Sequence, residues 1–521
     1  MSSKQNESFY IWTSLIVVII GTFMAILDSS IVNIAIPKMM AVFQASVDDA
    51  RWIITAYTLT LGAVIPITGY LSDRFGTKNV YIFALASFTI GSLLCGFAWS
   101  NTSMIIFRIL QGLGGGMIMP VSMSIIFQIV PKEKRGLALG FWGIAAMAAP
   151  TIGPTLSGYI IQYLDWRLIF TINIPIGVIA VILTIVLLKD FPKKDIKQFD
   201  IIGFISSTVG IIFCLYILGE GTSIDWSDIK IVCMLIIGVF SLVIFVVNEL
   251  LHPEPLLDLR ILKNFSFSLS IIITTVLNMA MFGVIFIMPL FLQNLRGLTP
   301  MQAGIVMFPS AIATGLLMPI GGKLFDKIGA KPLVIPCVII LVITTYLLSK
   351  LTIDTSISTI VFLLVLRGIS LGLTSMPSSV AGMNSIPQNL VARASALSNT
   401  VRQLSSSLSI TILISVMQGV QNSKYAQYSA DSTLFNRMTT NFIKFYQNLF
   451  IHNGMIQKNA YGSAMTILGG IIQQKAFLDA INATLVVSTI FALIAIPLAF
   501  MIKDKKNNNN KQETEHVATI E

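Results

Sequence analysis

Charge is what this sequence has least of. Only 11% of its 521 residues are Asp, Glu, Lys or Arg, against about a quarter in an ordinary soluble domain, while 55% are hydrophobic and mean hydropathy is +0.82. A water-soluble globule is excluded, and a multi-pass, all-α integral membrane protein is the class that fits. Histidine is nearly absent. His252, His452 and His516 all lie outside the long apolar runs, which leaves no His-Glu pair for a zinc enzyme buried in the membrane. The four cysteines, Cys95, Cys214, Cys233 and Cys337, fall in separate apolar runs without metal-ligand spacing, so neither a disulfide framework nor a zinc site is expected. No nucleophile motif and no phosphate-binding glycine loop is present, so no cofactor is expected and energy for any vectorial work would come from a gradient. Acidic residues, 24 against 34 basic, leave a net charge of +10, a balance that could suggest nucleic acid if it formed a basic face on a folded domain.

What is there is a series of apolar runs of bilayer-spanning length. Hydropathy with turn and charge punctuation predicts fourteen spans, at 11–37, 51–71, 79–99, 103–127, 137–161, 168–188, 201–219, 230–250, 268–292, 301–321, 333–350, 357–382, 392–418 and 477–502. An even count puts both termini on one side. Lys and Arg crowd the segments on that side, whereas the short loops opposite hold only Lys38, Arg51, Arg167, Lys230, Arg296 and Lys350. By the positive-inside rule the termini are expected in the cytoplasm, and this placement accounts for much of the basic balance without nucleic acid. The first apolar run is too long for a signal peptide and carries no small-residue cleavage site, so it is expected to be an uncleaved first helix.

An internal repeat divides the chain. Gly69-Tyr-Leu-Ser-Asp73-Arg74-Phe-Gly76-Thr-Lys78 follows the second span, and Gly322-Lys-Leu-Phe-Asp326-Lys327-Ile-Gly329-Ala-Lys331 follows the tenth, with glycine, leucine, aspartate, base, glycine and lysine at one constant offset. Two six-helix halves separated by two additional helices explain that offset. The expected units are a terminus at 1–10, a first bundle at 11–188, a linker with two spans at 189–267, a second bundle at 268–502 with a long external loop at 419–476, and a tail at 503–521. An adjacent acid and base in each loop suits ion pairs that form in one conformation and break in another, so Gly69, Asp73, Arg74, Gly76, Lys78, Asp326 and Lys327 are candidate switch residues.

The costliest residue is Asp28. It lies well inside the first span, where a carboxylate costs roughly 2.5 to 3.5 kcal/mol even on a lenient insertion scale, so a working role is the first hypothesis. Arg108, about one turn into the fourth span, stays charged at any working pH and needs an acceptor. Asp28 is the candidate partner, directly or through Gln111, and Arg367 stands at the corresponding place in the second half. Gly112 and Gly116 on the same span allow close approach of a neighbouring backbone. The fifth span carries small residues and prolines, among them Pro150, Gly153, Pro154, Ser157 and Gly158, and is expected to pack tightly against its neighbours.

These residues together carry a resemblance. The chain resembles the major facilitator superfamily, and within it the fourteen-span drug:proton antiporters. Leu27-Asp28 through Asn33 and Pro37 is similar to the first-helix motif of that branch, Gly69 to Lys78 to the loop motif of the superfamily, Arg108 to Gly114 to the fourth-helix motif, and Gly153-Pro154 to the fifth-helix antiporter motif. Asp165 to Gly177, Pro289 to Gln293 with Gly297, and Ser395 to Arg402 resemble further stretches of the branch. Two positions depart from the family pattern: Ser157-Gly158 stands for a double glycine, and Thr77 for an arginine that usually ends the loop.

The resemblance implies a major facilitator fold of two six-helix bundles plus two additional central helices. It also implies a proton-driven exporter of hydrophobic, often cationic compounds, acting by alternating access as a monomer in a bacterial plasma membrane. Asp28 would take a proton or a cation in alternation, with Arg108 and Gln111 beside it. Asn33, Met281, Phe282, Phe286, Arg367, Asn399 and Arg402 are the candidate cavity residues. The expected partners are lipid, protons and small hydrophobic or cationic substrates. A dedicated exporter of one metabolite, lipid or peptide would share these motifs, a symporter would share the fold, and a membrane enzyme or sensor has no motif in its favour.

Overall fold

The computed structural model describes residues 3–191, 193–194, 198–220, 226–433 and 436–502. Among them every regular element is helical. Six helices come from the first half: α1 (Ser3–Phe43), α2 (Val47–Val64), α3 (Thr68–Phe75), α4 (Thr77–Gly96), α5 (Asn101–Ile129) and α6 (Arg135–Tyr163). The short α7 (Leu168–Thr171) and α8 (Asn173–Leu187) complete that bundle. Next come α9 (Ile201–Glu220) and α10 (Ile229–Leu251), and then the second half: α11 (Phe265–Leu290), α12 (Pro300–Ile328), α13 (Lys331–Leu348), α14 (Ile357–Met383), α15 (Val391–Asp431), α16 (Arg437–His452) and α17 (Gln457–Phe500). Twelve helices among the described residues are long and apolar enough to cross a bilayer, thirteen if α2 and α3 are one bent span. With α6, a further 29-residue helix, this is compatible with the fourteen spans expected.

The second span breaks where its sequence contains Pro66. A proline inside a helix removes one backbone donor and clashes with the preceding turn, and α2 and α3 meet here at 54°. The sixth span runs from Leu168 to Leu187 through a helical turn at Ile172, with Asn173 at the first turn of α8 just ahead of Pro175. The two loop motifs share one geometry: Gly76 ends α3 at φ +88° and Gly329 ends α12 at φ +86°, a left-handed conformation that glycine adopts without steric cost.

The two additional helices are central in the sequence but peripheral in space. α9 packs against α2 of the first half and α15 of the second, and α10 packs chiefly on α9 with most of its surface exposed. Residues 419–476, expected as a long loop, are largely helical: α15 and α17 run on as helices of 41 and 44 residues, and α16 packs against α17. At about 1.5 Å per residue these helices exceed any bilayer, so they project beyond the end opposite the two loop motifs.

The halves meet most closely along α6 and α12. At Gly136 and Gly322 the backbones touch, since a Cβ on Gly322 would lie within bonding range of the Gly136 carbonyl and one on Gly136 would lie 2.4 Å from the Gly322 carbonyl oxygen. The largest apolar cluster runs across this seam and includes Leu139 and Trp142 from α6 with Met318, Met376 and Val380 from the second half. The loop end is therefore closed.

Orientation is tested by labelling in a background with the four native cysteines replaced. A cysteine at exposed Asn422 should react with an impermeant maleimide in whole cells, and one at exposed Lys132 should react only after permeabilisation. The reverse pattern would invert the topology.

Candidate functional site

Asp28, Arg108 and Gln111 converge in the core of the first bundle. All three are buried, with Asp28 and Gln111 wholly so. Arg108 Nη1 donates to Asp28 Oδ2 at 2.6 Å and to Gln111 Oε1 at 2.6 Å, while Gln111 Nε2 donates to Asp28 Oδ1 at 2.9 Å and to Ser92 Oγ at 2.6 Å. Asn173 Nδ2 adds a third donor to Asp28, at 3.0 Å from Oδ1. The carboxylate thus accepts three hydrogen bonds, one of them from a fixed positive charge, which is the arrangement a buried anion requires. The guanidinium also lies 3.9 Å from the centre of the Tyr57 ring. Helices α1, α2, α4, α5 and α8 all contribute to this one network.

From α1, three bonds run to α6. Trp142 Nε1 donates to Thr22 Oγ1 at 3.0 Å, Ser30 Oγ donates to the Pro150 carbonyl at 3.2 Å, and Ser157 Oγ donates to the Ile31 carbonyl at 2.9 Å. Gly153 leaves just enough room for Ser30, since a Cβ there would fall 2.5 Å from its hydroxyl. Gly158 faces open space. The side chain of Pro154 lies outside the described residues, as does that of Asp326.

A separate cavity of about 100 Å³ opens between the halves. Its walls come from α5 and α6 on one side (Met123, Leu139, Trp142 and Ala146) and from α11, α12, α14 and α15 on the other. The second wall includes Phe267, Thr274, Asn278, Met281, Met318, Ser375, Met376, Ser398, Asn399 and Arg402. Of the seven residues singled out as cavity candidates, Met281, Asn399 and Arg402 line it. Phe282 and Phe286 are partly buried elsewhere on α11, and Asn33 is exposed on α1. Arg367 is buried with no carboxylate bound; its Nη2 donates to the carbonyls of Ala280 at 2.9 Å and Met281 at 3.4 Å. Asp28, Arg108 and Gln111 do not line the cavity.

The first loop motif ties the halves together. Asp73 Oδ2 accepts from Lys194 Nζ of the linker at 2.7 Å and from Arg393 Nε of α15 at 2.8 Å, and Lys194 Nζ also reaches the Asn389 carbonyl at 2.6 Å. Gly69 brings α3 against α15, with room for no more than a hydrogen beside Arg393 Cα. Arg74 donates to the Tyr70 hydroxyl at 3.0 Å, Lys78 pairs with exposed Asp190 at 3.7 Å, and Lys327 is exposed. Arg135 Nη1 adds a cross-half bond to Asn384 Oδ1 at 2.8 Å.

Sequence reasoning found Asp73 but not its partners. Lys194 sits in an ordinary charged linker and Arg393 just inside a span, and only the Ser395–Arg402 motif nearby marked that stretch. Asn173 lies in the Asp165–Gly177 stretch, whose pattern assigns it no role, and the Thr22–Trp142 bond has no sequence signal.

The model of the Major Facilitator Superfamily matches residues 18–410. The chain is 36% identical to a Bacillus subtilis protein described as an uncharacterized MFS-type transporter, YhcA, over 100% of this chain and 98% of that one. It is 30% identical to the multidrug export protein EmrB of Haemophilus influenzae, over 81% of this chain and 84% of the relative. Among solved structures, the human organic anion transporter MFSD10 superposes with a TM-score of 0.61 over 94% of this chain and 99% of that one; at 10% identity the likeness concerns the fold.

Replacing Asp73 with Asn would leave Arg393 buried without a carboxylate. Losing a hydrogen bond to a charged group should weaken the closed end by about 1.5 to 3 kcal/mol. A cysteine at cavity residue Ser398 should then be alkylated about tenfold or more faster from the loop end in everted vesicles. An unchanged rate would mean that Asp73 only shapes its loop.

Proposed function

Because the chain belongs to the major facilitator superfamily and is a multi-pass membrane transporter rather than an enzyme, we propose that it exports hydrophobic compounds in exchange for protons. It would act by alternating access from a bacterial plasma membrane, with both termini in the cytoplasm. The observation that carries this reading is the Asp28 network: one ionisable group, wholly buried, held by three donors and linked through α1 to a wall of the central cavity.

The chemistry follows from the donors. While Asp28 is ionised, Arg108, Gln111 and Asn173 bind it and draw α1, α5 and α8 together. A proton on Asp28 removes the counter-charge of Arg108 and turns one carboxylate oxygen from acceptor to donor. The guanidinium then has to find another acceptor, and the helices carrying these groups have to shift relative to one another. Because α1 is bonded to α6 at Thr22, Ser30 and Ile31, that shift is passed to the helix bearing Trp142 in the cavity and Gly136 at the seam. Protonation and opening are thereby linked without a shared binding site.

Relatives named for multidrug export and for lincomycin resistance, at about 29 to 30% identity, support drug-like compounds as cargo, and the largely apolar cavity wall supports hydrophobic ones. The expectation that Asp28 serves as counter-charge for cations gains no support from the geometry. The carboxylate has no exposed surface, is matched by Arg108 and does not border the cavity.

The test is Asp28→Asn in proteoliposomes with an imposed pH gradient. Gradient-driven transport should fall to background, while substrate binding to the purified protein should stay within about twofold of the parent, because the cavity is left intact. Transport at the parental rate would remove Asp28 from the coupling mechanism.

A further inference from the structure

Among the described residues, the central cavity carries a charge of one sign only. Arg402 lines it, and no Asp or Glu is among the residues of its walls. The buried arginines are differently placed: Arg108 holds Asp28, Arg393 holds Asp73, Arg135 donates to the Phe127 and Val130 carbonyls and to Asn384, and Arg367 binds two backbone carbonyls. Arg402 Nη2 donates to Asn399 Oδ1 at 2.5 Å and contacts the Met119 sulfur at 3.7 Å. Both are neutral, and the sulfur is a weak acceptor. Among the described residues, Arg402 Nε and Nη1 donate to no protein group. The guanidinium is half-buried, with its carbon 5.9 Å from the centre of the Trp142 ring.

A guanidinium cannot shed its charge, and it presents a rigid fork of donors suited to carboxylate, sulfonate or phosphate. Leaving it in a narrow, partly apolar space without an anion is costly unless water or a ligand supplies one. Around it stand Ser375, Ser379, Ser398 and Asn278, which can donate further hydrogen bonds, while Trp142 and Phe267 offer aromatic surface. A lipophilic cation entering this space would meet a like charge and no carboxylate.

We propose that the substrates of this cavity are amphipathic anions, bound with the acidic group on Arg402 and the apolar body against the aromatic and methionine walls. The proposal rests on the reading of this cavity as the transport site, and it narrows the substrate class from hydrophobic compounds to those bearing a negative charge. With the loop end closed, about 100 Å³ admits a headgroup rather than a drug-sized molecule, so the body has to enter as the halves part.

The experiment uses a matched pair with one aromatic body, 1-pyrenesulfonate and 1-pyrenemethylammonium. Binding to the purified full chain and gradient-driven uptake into proteoliposomes are measured for both. The parent protein should bind the sulfonate at least about tenfold more tightly than the ammonium probe. Arg402→Gln should remove that preference, and Arg402→Lys should retain most of it as a point charge. Tighter binding of the ammonium probe, binding of neither probe, or an equal loss of both in Arg402→Gln would overturn the proposal; the first two need no variant, so misfolding cannot obscure them. Arg402-dependent binding of the sulfonate without response to the gradient would leave the anion site standing and refute proton exchange. Gradient-driven uptake of the ammonium probe that ignored Arg402 would do the opposite.

Discussion

A carboxylate without exposed surface, in the middle of a helical bundle, has to be neutralised where it sits, and much of the first half of this protein is arranged to meet that requirement. Asp28 takes its charge balance from Arg108 and two further hydrogen bonds from Gln111 and Asn173. Each donor imposes a constraint on its own helix. Gln111 has to lie on the face of α5 toward α4, where it meets Ser92. Asn173 has to face α1 from the first turn of α8, where its side chain is buried. Removing any one partner leaves a buried charge under-satisfied, which costs more than the bond itself is worth in water.

The two halves repeat the scaffold but not the charges. Both loop motifs end their helix in a left-handed glycine, Gly76 and Gly329, so the repeat visible in the sequence is also a repeat of backbone geometry. The interiors differ. Where the first half pairs Arg108 with Asp28, the second half has Arg367 bound to backbone carbonyls, with Arg402 facing the cavity. The first half therefore buries a matched carboxylate and guanidinium, and the second buries guanidinium groups held only by neutral acceptors. That division suits a transporter in which coupling and substrate recognition are carried by different halves.

The spans, the repeat and the Asp28–Arg108–Gln111 cluster were legible because each leaves a local mark: an apolar run of fixed length, a spaced pattern, or a charge where charge is expensive. Contacts made by unremarkable residues were not legible. Lys194 resembles any linker lysine, and the bond from Trp142 to Thr22 joins two residues that fit a membrane helix without comment. Local polarity also misled at 419–476. Its low hydropathy predicts a long loop with room for short helices, whereas α15 and α17 continue outward as helices, since a helix leaving the bilayer keeps its own hydrogen bonds and needs only a change of surface. The second span shows the converse: Pro66 was visible in the sequence, yet a run of apolar residues conceals a break that only geometry reveals.

The seam between α6 and α12 explains how a small event at Asp28 could move two bundles. At Gly136 and Gly322 backbone meets backbone, while farther along the seam Leu139 and Trp142 pack against Met318, Met376 and Val380. Close-packed contacts of this kind forfeit roughly a quarter to a half of their attraction within about an ångström of separation, which favours discrete closed and open states of the seam. The ion pairs of Asp73 with Arg393 and Lys194 add directional attraction at the same end. In the proposed cycle α1 is the lever, anchored through Asp28 to α5 and α8 and by three hydrogen bonds to α6. The proton need not approach the substrate; it has only to change the position of α1 enough to pull one glycine off another.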